Sequence, residues 1–495
     1  MRKIFPFLVI AFSCLFVSAS FDMNNNMQNA YTAIIDLQFE KGQSYIELEK
    51  KQNPYNGLIL LNENYKDFLE LIIGEDKQFF EKISANKNKR LSAIEKCDKN
   101  SPYYLYAKAE INLQWAFARL KFQEYFLAAY EIQKAYFLLE ENQKKFPNFH
   151  LNKKGMGFLH CLIGSIPENY KWIVSAIGIN GGIDKGLNEL RELLLLTEKD
   201  ENYKIYNTEL LFLISFLEMN LTIDKSQFQK TLDAIGEKHQ QHILLTFASA
   251  RLSSKLGKND LTLQILKNRQ KKLGQFEFAY LDYLLAMSEL YELQPSAKKN
   301  FLSFIQNFKG QNYIKSAYQK LAWIAYLDND SILKDVYFEK VKQNGNTYLD
   351  EDKQAQRQAE SRMISHPILL RSRLFYDGGY YKKTLKELES VESPDLFFNT
   401  ENIIEYWYRM GRVFQKMKKL QKETILFFEK AITVGINSNS YYAPMSCLQI
   451  AIEYEKNGES KKAKSYYNKC LSMKNFDYQR GIHQKAKAGL ERVSN

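Results

Sequence analysis

Two short segments carry residue types and spacings that could bind phosphate or metal. A phosphate-binding loop places its lysine after the last glycine and follows it with serine or threonine. In the glycine-rich segment 178–186, Lys185 instead precedes Gly186 and no hydroxyl residue follows. His239 and His242 would share one face of a helix, yet no third ligand is near them in the sequence. The sequence therefore predicts a turn between helices at 178–186, and it predicts that His239 and His242 are surface residues.

Other candidate groups lack the partners that catalysis requires. His160 adjoins Cys161 within an apolar run, which favours a packed core histidine over a base that activates a nucleophile. The segment 328–330, Asp-Asn-Asp, begins like a calcium loop, but Leu333 stands where that loop needs glycine. We predict no catalytic residue, no metal ligand and no cofactor, and hence a protein that is not an enzyme.

The elements that would have to position any site are long helices joined by short turns. With 22 glycines and 9 prolines in 495 residues, the chain has about half the usual share of these turn-forming residues. Apolar residues recur at helical spacing, and runs that alternate with period two do not occur. Ser101 and Pro102 suit a helix cap and first turn, and they predict a helix over 103–119. A further helix is predicted over 276–291.

Small residues recur at an interval that is typical of helical repeats. Two antiparallel helices approach closely only where a side chain is small, and each pair leaves an apolar face for the next pair to cover. Six such positions are separated by 37, 36, 50, 39 and 40 residues, namely Ser249, Ala286, Ala322, Ser372, Gly411 and Ala451. A period of this length predicts a solenoid.

The clearest repeat, residues 443–471, resembles a tetratricopeptide repeat. Its turn is Asn457-Gly458. The residues at the expected large, apolar, small and aromatic positions are Cys447, Ile450, Ala451, Tyr454, Ala463, Tyr467 and Cys470. The resemblance extends over residues 240–490, and residues 152–190 are similar to the central region of tetratricopeptide family 39. It implies an all-α fold, a TPR-like α-solenoid that forms a right-handed superhelix of antiparallel helix pairs.

The resemblance also implies a cysteine pair. In a tetratricopeptide hairpin the fourth position of the first helix faces the end of the second helix, and these are the positions of Cys447 and Cys470. We predict a disulfide between them, the alternative being two small core side chains.

The N-terminus has the pattern of a secretory signal peptide. Arg2 and Lys3 precede an apolar run over 4–17, and the small residues of 17–19 suit cleavage. The run is shorter than the roughly 20 residues that span a bilayer. The alternative is lipidation of Cys14. We expect export to a periplasm or a cell surface and no transmembrane segment in the mature chain. Peripheral membrane association is left open.

The predicted organisation has five parts. They are a signal peptide at 1–20, an N-terminal helical-repeat region at 21–200, middle TPR-like repeats at 201–345, an inserted helix or linker at 346–366 and C-terminal TPR repeats at 367–495. The formal charge of +12 is spread over lysines interleaved with glutamates, which is typical of solvated helix faces and argues against a nucleic-acid partner.

These features predict an exported scaffold that binds a protein or peptide partner on the concave face of the solenoid. The candidate partner-binding residues are Tyr318, Tyr326, Tyr408, Arg409 and Arg412. One alternative is a surface glycan-binding lipoprotein of the nutrient-uptake type, which would need tryptophan-rich insertions, whereas the chain has 4 tryptophans. The other is an α/α-toroid hydrolase, which would need catalytic carboxylates in loop insertions. The oligomeric state is left open.

Overall fold

The computed structural model describes residues 20–166 and 178–494, and none of these residues forms a β-strand. Nearly all of the predicted signal peptide lies outside them. The helices are α1 (Asn25–Ile35), α2 (Phe39–Gln52), α3 (Leu58–Gly74), α4 (Lys77–Ile83), α5 (Asn86–Ile94), α6 (Pro102–Lys121), α7 (Tyr125–Lys145), α8 (Asn152–Gly164), α9 (Ile183–Lys199), α10 (Asn207–Leu221), α11 (Lys225–Ile235), α12 (Ile243–Leu256), α13 (Asn259–Lys267), α14 (Tyr280–Leu290), α15 (Ser296–Asn307), α16 (Ile314–Leu327), α17 (Ser331–Gln343), α18 (Asp350–Ser361), α19 (Pro367–Asp377), α20 (Tyr381–Glu389), α21 (Thr400–Lys416), α22 (Gln421–Gly435), α23 (Tyr442–Lys456), α24 (Ser460–Ser472) and α25 (Gln479–Ser494). Short 3₁₀ helices span Lys204–Tyr206, Gly236–Gln240 and Pro394–Phe397.

Helices that are neighbours in sequence pack against each other as pairs. The most extensive contacts join α6 to α7, α8 to α9, α16 to α17, α21 to α22 and α23 to α24. Short connections between such helices make each pair antiparallel. The described chain is therefore all-α with TPR-like helix pairs in succession, which confirms the predicted fold class. None of the described helices combines the length and the apolar character that crossing a membrane requires.

The chain divides into two compact units. Unit 1 comprises described residues up to Leu252 together with Asn268–Phe278, and unit 2 comprises Ser253–Lys267 together with the described residues from Ala279 onward. This division is coarser than the regions proposed from the sequence, whose boundaries stay predictions.

The six small residues of the predicted repeat are all buried. Gly411 shows why size matters there, because a Cβ atom at this position would lie 2.6 Å from the ring of Phe428 on the paired helix. In the last clear repeat, Ala451 and Ala463 are fully buried between α23 and α24, and Gly458 has a φ of +76° in the turn between them. Repeat spacing therefore identified real helix crossings.

The glycine-rich segment of unit 1 serves helix packing. A Cβ atom at Gly186 in α9 would lie 2.2 Å from the carbonyl oxygen of Gly157 in α8, so these helices cross with backbone nearly touching backbone. Glycine at both positions permits the approach. Part of the family-39-like region, residues 167–177, lies outside the described residues.

One predicted helix start is confirmed and another is wrong. The Ser101 hydroxyl accepts a hydrogen bond from the backbone N–H of Tyr103, with Pro102 in the first turn of α6. By contrast, the helix predicted over 276–291 begins only at Tyr280. The backbone N–H of Phe276 donates to the Leu37 carbonyl at 2.8 Å, within unit 1, and this hydrogen bond holds the segment out of the helix.

Candidate partner-binding site

The first helices of the C-terminal pairs lie side by side in unit 2. Helix α19 contacts α21, and α21 contacts α23. Residues at corresponding repeat positions on these helices therefore come close together although they are about 40 residues apart in sequence.

Side chains from this layer surround a cavity of about 200 Å³, which we call the arginine–tyrosine cavity. Its lining residues are Arg373, Tyr376 and Asp377 from α19, Tyr408, Arg409 and Arg412 from α21, and Tyr441 just before α23. Three guanidinium groups and three tyrosine rings thus converge on one space.

The structure brings together three of the five predicted partner-binding residues, Tyr408, Arg409 and Arg412. The other two, Tyr318 and Tyr326, lie on α16 and do not line this cavity. The ring of Tyr318 packs 6.5 Å from that of Tyr337 on the neighbouring helix α17, and both predicted tyrosines on α16 are half-buried. The binding role of all five stays a prediction.

Sequence reasoning missed the residues that α19 contributes. Arg373 directly follows Ser372, as Arg412 directly follows Gly411, so the two arginines hold the same repeat position. The size of the small residues does not reveal Arg373, whereas the positive charge that follows them in both repeats does. Tyr441 carried no such signal, because it precedes its helix.

Arg409, which lines the cavity, forms a buried pair with Glu405 on the same helix. Arg409 Nε donates to Glu405 Oε1 at 2.6 Å, and the Ser365 hydroxyl donates to Glu405 Oε2 at 2.6 Å. Burial alone would raise the pKa of the Glu405 carboxyl, but Arg409 and Ser365 hold it below its ordinary value. The pair is therefore charged, which fixes the rotamer of Arg409. The Ser365 hydrogen bond ties α21 to the segment that precedes α19.

Arg412 has spare hydrogen-bonding capacity. Its Nη1 donates to the Tyr408 hydroxyl at 2.6 Å, and its guanidinium group lies 5.2 Å from the centre of the Tyr376 ring. Within the part of the chain that the structure describes, its buried Nε has no hydrogen-bond partner. Burial alone would lower the pKa of Arg412, but Tyr408 and Tyr376 raise it, so the group stays cationic.

The basic and aromatic character continues onto α16. Arg373 lies 3.7 Å from Asp377 by its Nε, and its guanidinium group lies 5.1 Å from the centre of the Trp323 ring. Lys320 approaches the same ring to 3.8 Å. The three arginines that line the cavity face two carboxylates, Glu405 and Asp377. The site therefore retains one formal positive charge and can accept an anion.

Two other predicted groups prove to be packed inside the molecule. Cys447 and Cys470 are both buried in one core cluster of unit 2, and burial raises the pKa of each thiol to about 12. Their disulfide stays a prediction. His160 is buried in unit 1, with Nδ1 2.6 Å from Glu189 Oε2, as a core histidine should be. Among residues 20–166 and 178–494, no cluster of three or more His, Cys, Asp or Glu side chains is arranged to hold a metal ion.

No family model and no curated protein matches this sequence. Among solved structures, the chain is similar to the crystal structure of the APC/C hetero-tetramer Cut9-Hcn1, with 10% sequence identity over 94% of this chain and 95% of that chain and a TM-score of 0.27. A TM-score this low supports no inference about fold or function. The TPR-like pairing is seen instead in the helix contacts of the chain itself.

Proposed function

We propose that the chain is an exported, non-enzymatic helical scaffold that binds an acidic segment of a protein or peptide partner in the arginine–tyrosine cavity. The observation that supports this most is Arg412, a half-buried cation whose buried Nε has no hydrogen-bond partner among the described residues. A buried donor without a partner is costly, and a carboxylate oxygen of a partner would satisfy it.

The chemistry of the lining favours a carboxylate within a peptide. Guanidinium groups form planar, paired hydrogen bonds with carboxylates. Tyr376, Tyr408 and Tyr441 supply flat apolar surfaces for neighbouring atoms of the partner, and tyrosine loses little conformational entropy when it does so. The lining consists of arginines, tyrosines and one aspartate, which suits recognition of an anionic partner.

The buried pair of Arg409 and Glu405 supports the same function by holding the site in shape. Arg409 and Glu405 are respectively 7% and 3% exposed, so their geometry is set before any partner arrives. Preorganisation of this kind reduces the entropy that binding must overcome.

The export part of the proposal rests on the apolar run at 4–17, which lies outside the described residues. N-terminal mass spectrometry of the protein from its own cells tests it. We expect a mature terminus at Ser20 or Phe21. A diacylated terminus at Cys14 would support the lipoprotein alternative, and an intact Met1 would contradict export.

The binding proposal is tested with the mature chain on an array of short peptide pairs that differ only by Asp→Asn or Glu→Gln. We expect the acidic members to bind and their amide counterparts to bind about tenfold more weakly, because a charge-assisted hydrogen bond is worth about 1.5–3 kcal/mol. Arg412→Gln should lower the affinity for acidic peptides by a similar factor. Arg480→Gln, at an exposed arginine outside the cavity, should leave that affinity unchanged.

Two results would contradict the proposal. One is equal binding of acidic and amide peptides by the mature chain. The other is selective binding to a parallel array of oligosaccharides with no peptide binding, which would favour the glycan-binding alternative.

A further inference from the structure

Unit 1 contains a second cavity, of about 390 Å³, with mostly apolar walls. This volume lies within the range of roughly 300–1,000 Å³ that small-molecule sites occupy. The principal wall residues are Phe68, Leu113, Phe117, Phe158, Phe212 and Leu213. Phe216, which also lines the cavity, is 39% exposed, so one side of the cavity reaches the surface.

A buried ionic cluster forms part of the lining of this apolar space. Lys154 Nζ lies 2.9 Å from Glu110 Oε2 and 3.0 Å from Glu209 Oε2. The Tyr65 hydroxyl donates to Glu110 Oε2 at 2.7 Å. All four residues line the cavity, and the exposed fractions of Lys154 and Glu110 are 2% and 3%.

The cluster lacks one hydrogen-bond donor and one positive charge. Within the described residues, Glu110 Oε1 is buried and has no hydrogen-bond partner, although Glu110 Oε2 has two. Two carboxylates also share a single ammonium group, which leaves one formal negative charge. An unsatisfied polar atom in a low-dielectric interior is expensive, so a ligand that brings a donor to Glu110 would lower the free energy of the cluster.

We infer that this cavity binds an amphiphilic amine, with its ammonium group donating to Glu110 Oε1 and its hydrocarbon body against the phenylalanine and leucine walls. The ammonium group supplies both the missing donor and the missing positive charge. A fatty acid would bring a third carboxylate to the cluster, and a plain hydrocarbon would leave Oε1 without a donor. Water alone would satisfy Oε1 and leave the apolar walls poorly solvated. This site uses different residues from the arginine–tyrosine cavity and does not depend on the proposed peptide binding.

Isothermal titration calorimetry of the mature chain with decylamine, decan-1-ol and decanoic acid, each below the concentration at which it forms micelles, tests the inference. We expect decylamine to bind at one molecule per chain. Decanoic acid should bind at least tenfold more weakly. The alcohol should fall between them, because it supplies the donor without the charge.

Variants locate the binding. Glu110→Gln keeps an acceptor oxygen and removes the charge, so decylamine should lose about tenfold in affinity and approach decan-1-ol, whose affinity should hardly change. Leu213→Trp fills the cavity and should abolish binding of both ligands. Leu195→Trp is its matched control, since Leu195 is 55% exposed in the same unit and does not line the cavity. Circular dichroism melts establish that each variant is folded.

The inference is overturned if decylamine shows no saturable binding, if decanoic acid or decan-1-ol binds as tightly as decylamine, or if folded Leu213→Trp binds decylamine as well as Leu195→Trp does. Because none of these ligands is a peptide, failure here leaves the peptide-binding proposal unaffected.

Discussion

Buried charged side chains in this protein differ in whether the chain itself satisfies them. Arg409 and Glu405 satisfy each other, and they act as a fixed support. Arg412 and Glu110 each keep a buried atom without a partner among the described residues, and each borders a cavity. This difference separates residues that position a site from residues that would contact a ligand.

Lys320 is a buried cation whose stability effect depends on pH. Burial, aided by Arg373, lowers the pKa of Lys320 to about 7, while Asp377, Glu351 and Asp352 oppose that shift. An unfolded lysine has a pKa of about 10.4. Between about pH 7 and pH 10 the unfolded state therefore binds one more proton than the folded state, so the free energy of unfolding rises with pH. Below pH 7 both states are protonated and the full cost of burial is present.

Lys320→Met should therefore remove this rise and stabilise the protein most at pH 7 and below, by at least about 1 kcal/mol. Urea unfolding at several pH values measures both effects. Lys299→Met, at an exposed lysine of unit 2, should leave the pH dependence as it is. An unchanged slope in Lys320→Met would show that Lys320 is charged in the folded state across this range.

The predicted disulfide between Cys447 and Cys470 can also be tested at the residue scale, by counting free thiols. If Cys447 and Cys470 are bonded, the oxidised mature protein, denatured and alkylated without reductant, should show two modified thiols, at Cys97 and Cys161. Intact-mass measurement counts them. Four modified thiols would show that the pair is only two core side chains, as the alternative states.

At the scale of helices, the sequence predicted the pairs well because helix crossings demand small residues at regular intervals. The Ser101 cap was equally predictable, since it depends on residues adjacent in sequence. The start of α14 was not, because Phe276 is held by a contact with Leu37 that no local pattern reveals. The cluster of Glu110, Lys154 and Glu209 was missed for the same reason.

A pair of glycine variants tests the crossing argument. Gly411→Ala should destabilise the protein by about 1–3 kcal/mol, because its new Cβ would press on the Phe428 ring. Gly481→Ala should stabilise it by up to about 1 kcal/mol, because that helical glycine has open space around it and alanine favours the helix. Chemical unfolding measures both changes. Equal effects would mean that the crossing is looser than the structure shows.

Helix α18, within the segment predicted as an insertion, caps α16. Asp352 Oδ2 accepts from the backbone N–H of Tyr313 at 2.7 Å, and its Oδ1 accepts from that of Ser316 at 3.0 Å. Asp352→Ala should cost about 1–2 kcal/mol in the free energy of unfolding, since it removes a cap. Asp350→Ala, at an exposed position of the same helix, should cost much less. A similar small change in both variants would rule out the capping role.

At the scale of the whole molecule, composition predicted a helical protein, the charge pattern predicted solvated helix faces, and the resemblance to tetratricopeptide repeats suggested a binding role. Sequence alone singled out three residues that line the arginine–tyrosine cavity, and their binding role stays a prediction. It could not show that Arg373 and Tyr376 complete the site, because that depends on how α19 stacks beside α21. Nor could it show that Arg409 is already paired, because the contact between Arg409 and Glu405 is visible only in the structure.

The most direct test of the central claim is a double-mutant cycle between Arg412 and one carboxylate of the tightest acidic peptide. Calorimetry gives the affinities of the mature chain and Arg412→Gln for the peptide and for its Asp→Asn form. Direct contact between the guanidinium group and the carboxylate predicts a coupling energy of at least about 1 kcal/mol. Strictly additive losses, at every carboxylate of the peptide, would contradict recognition of acidic partners by this cavity.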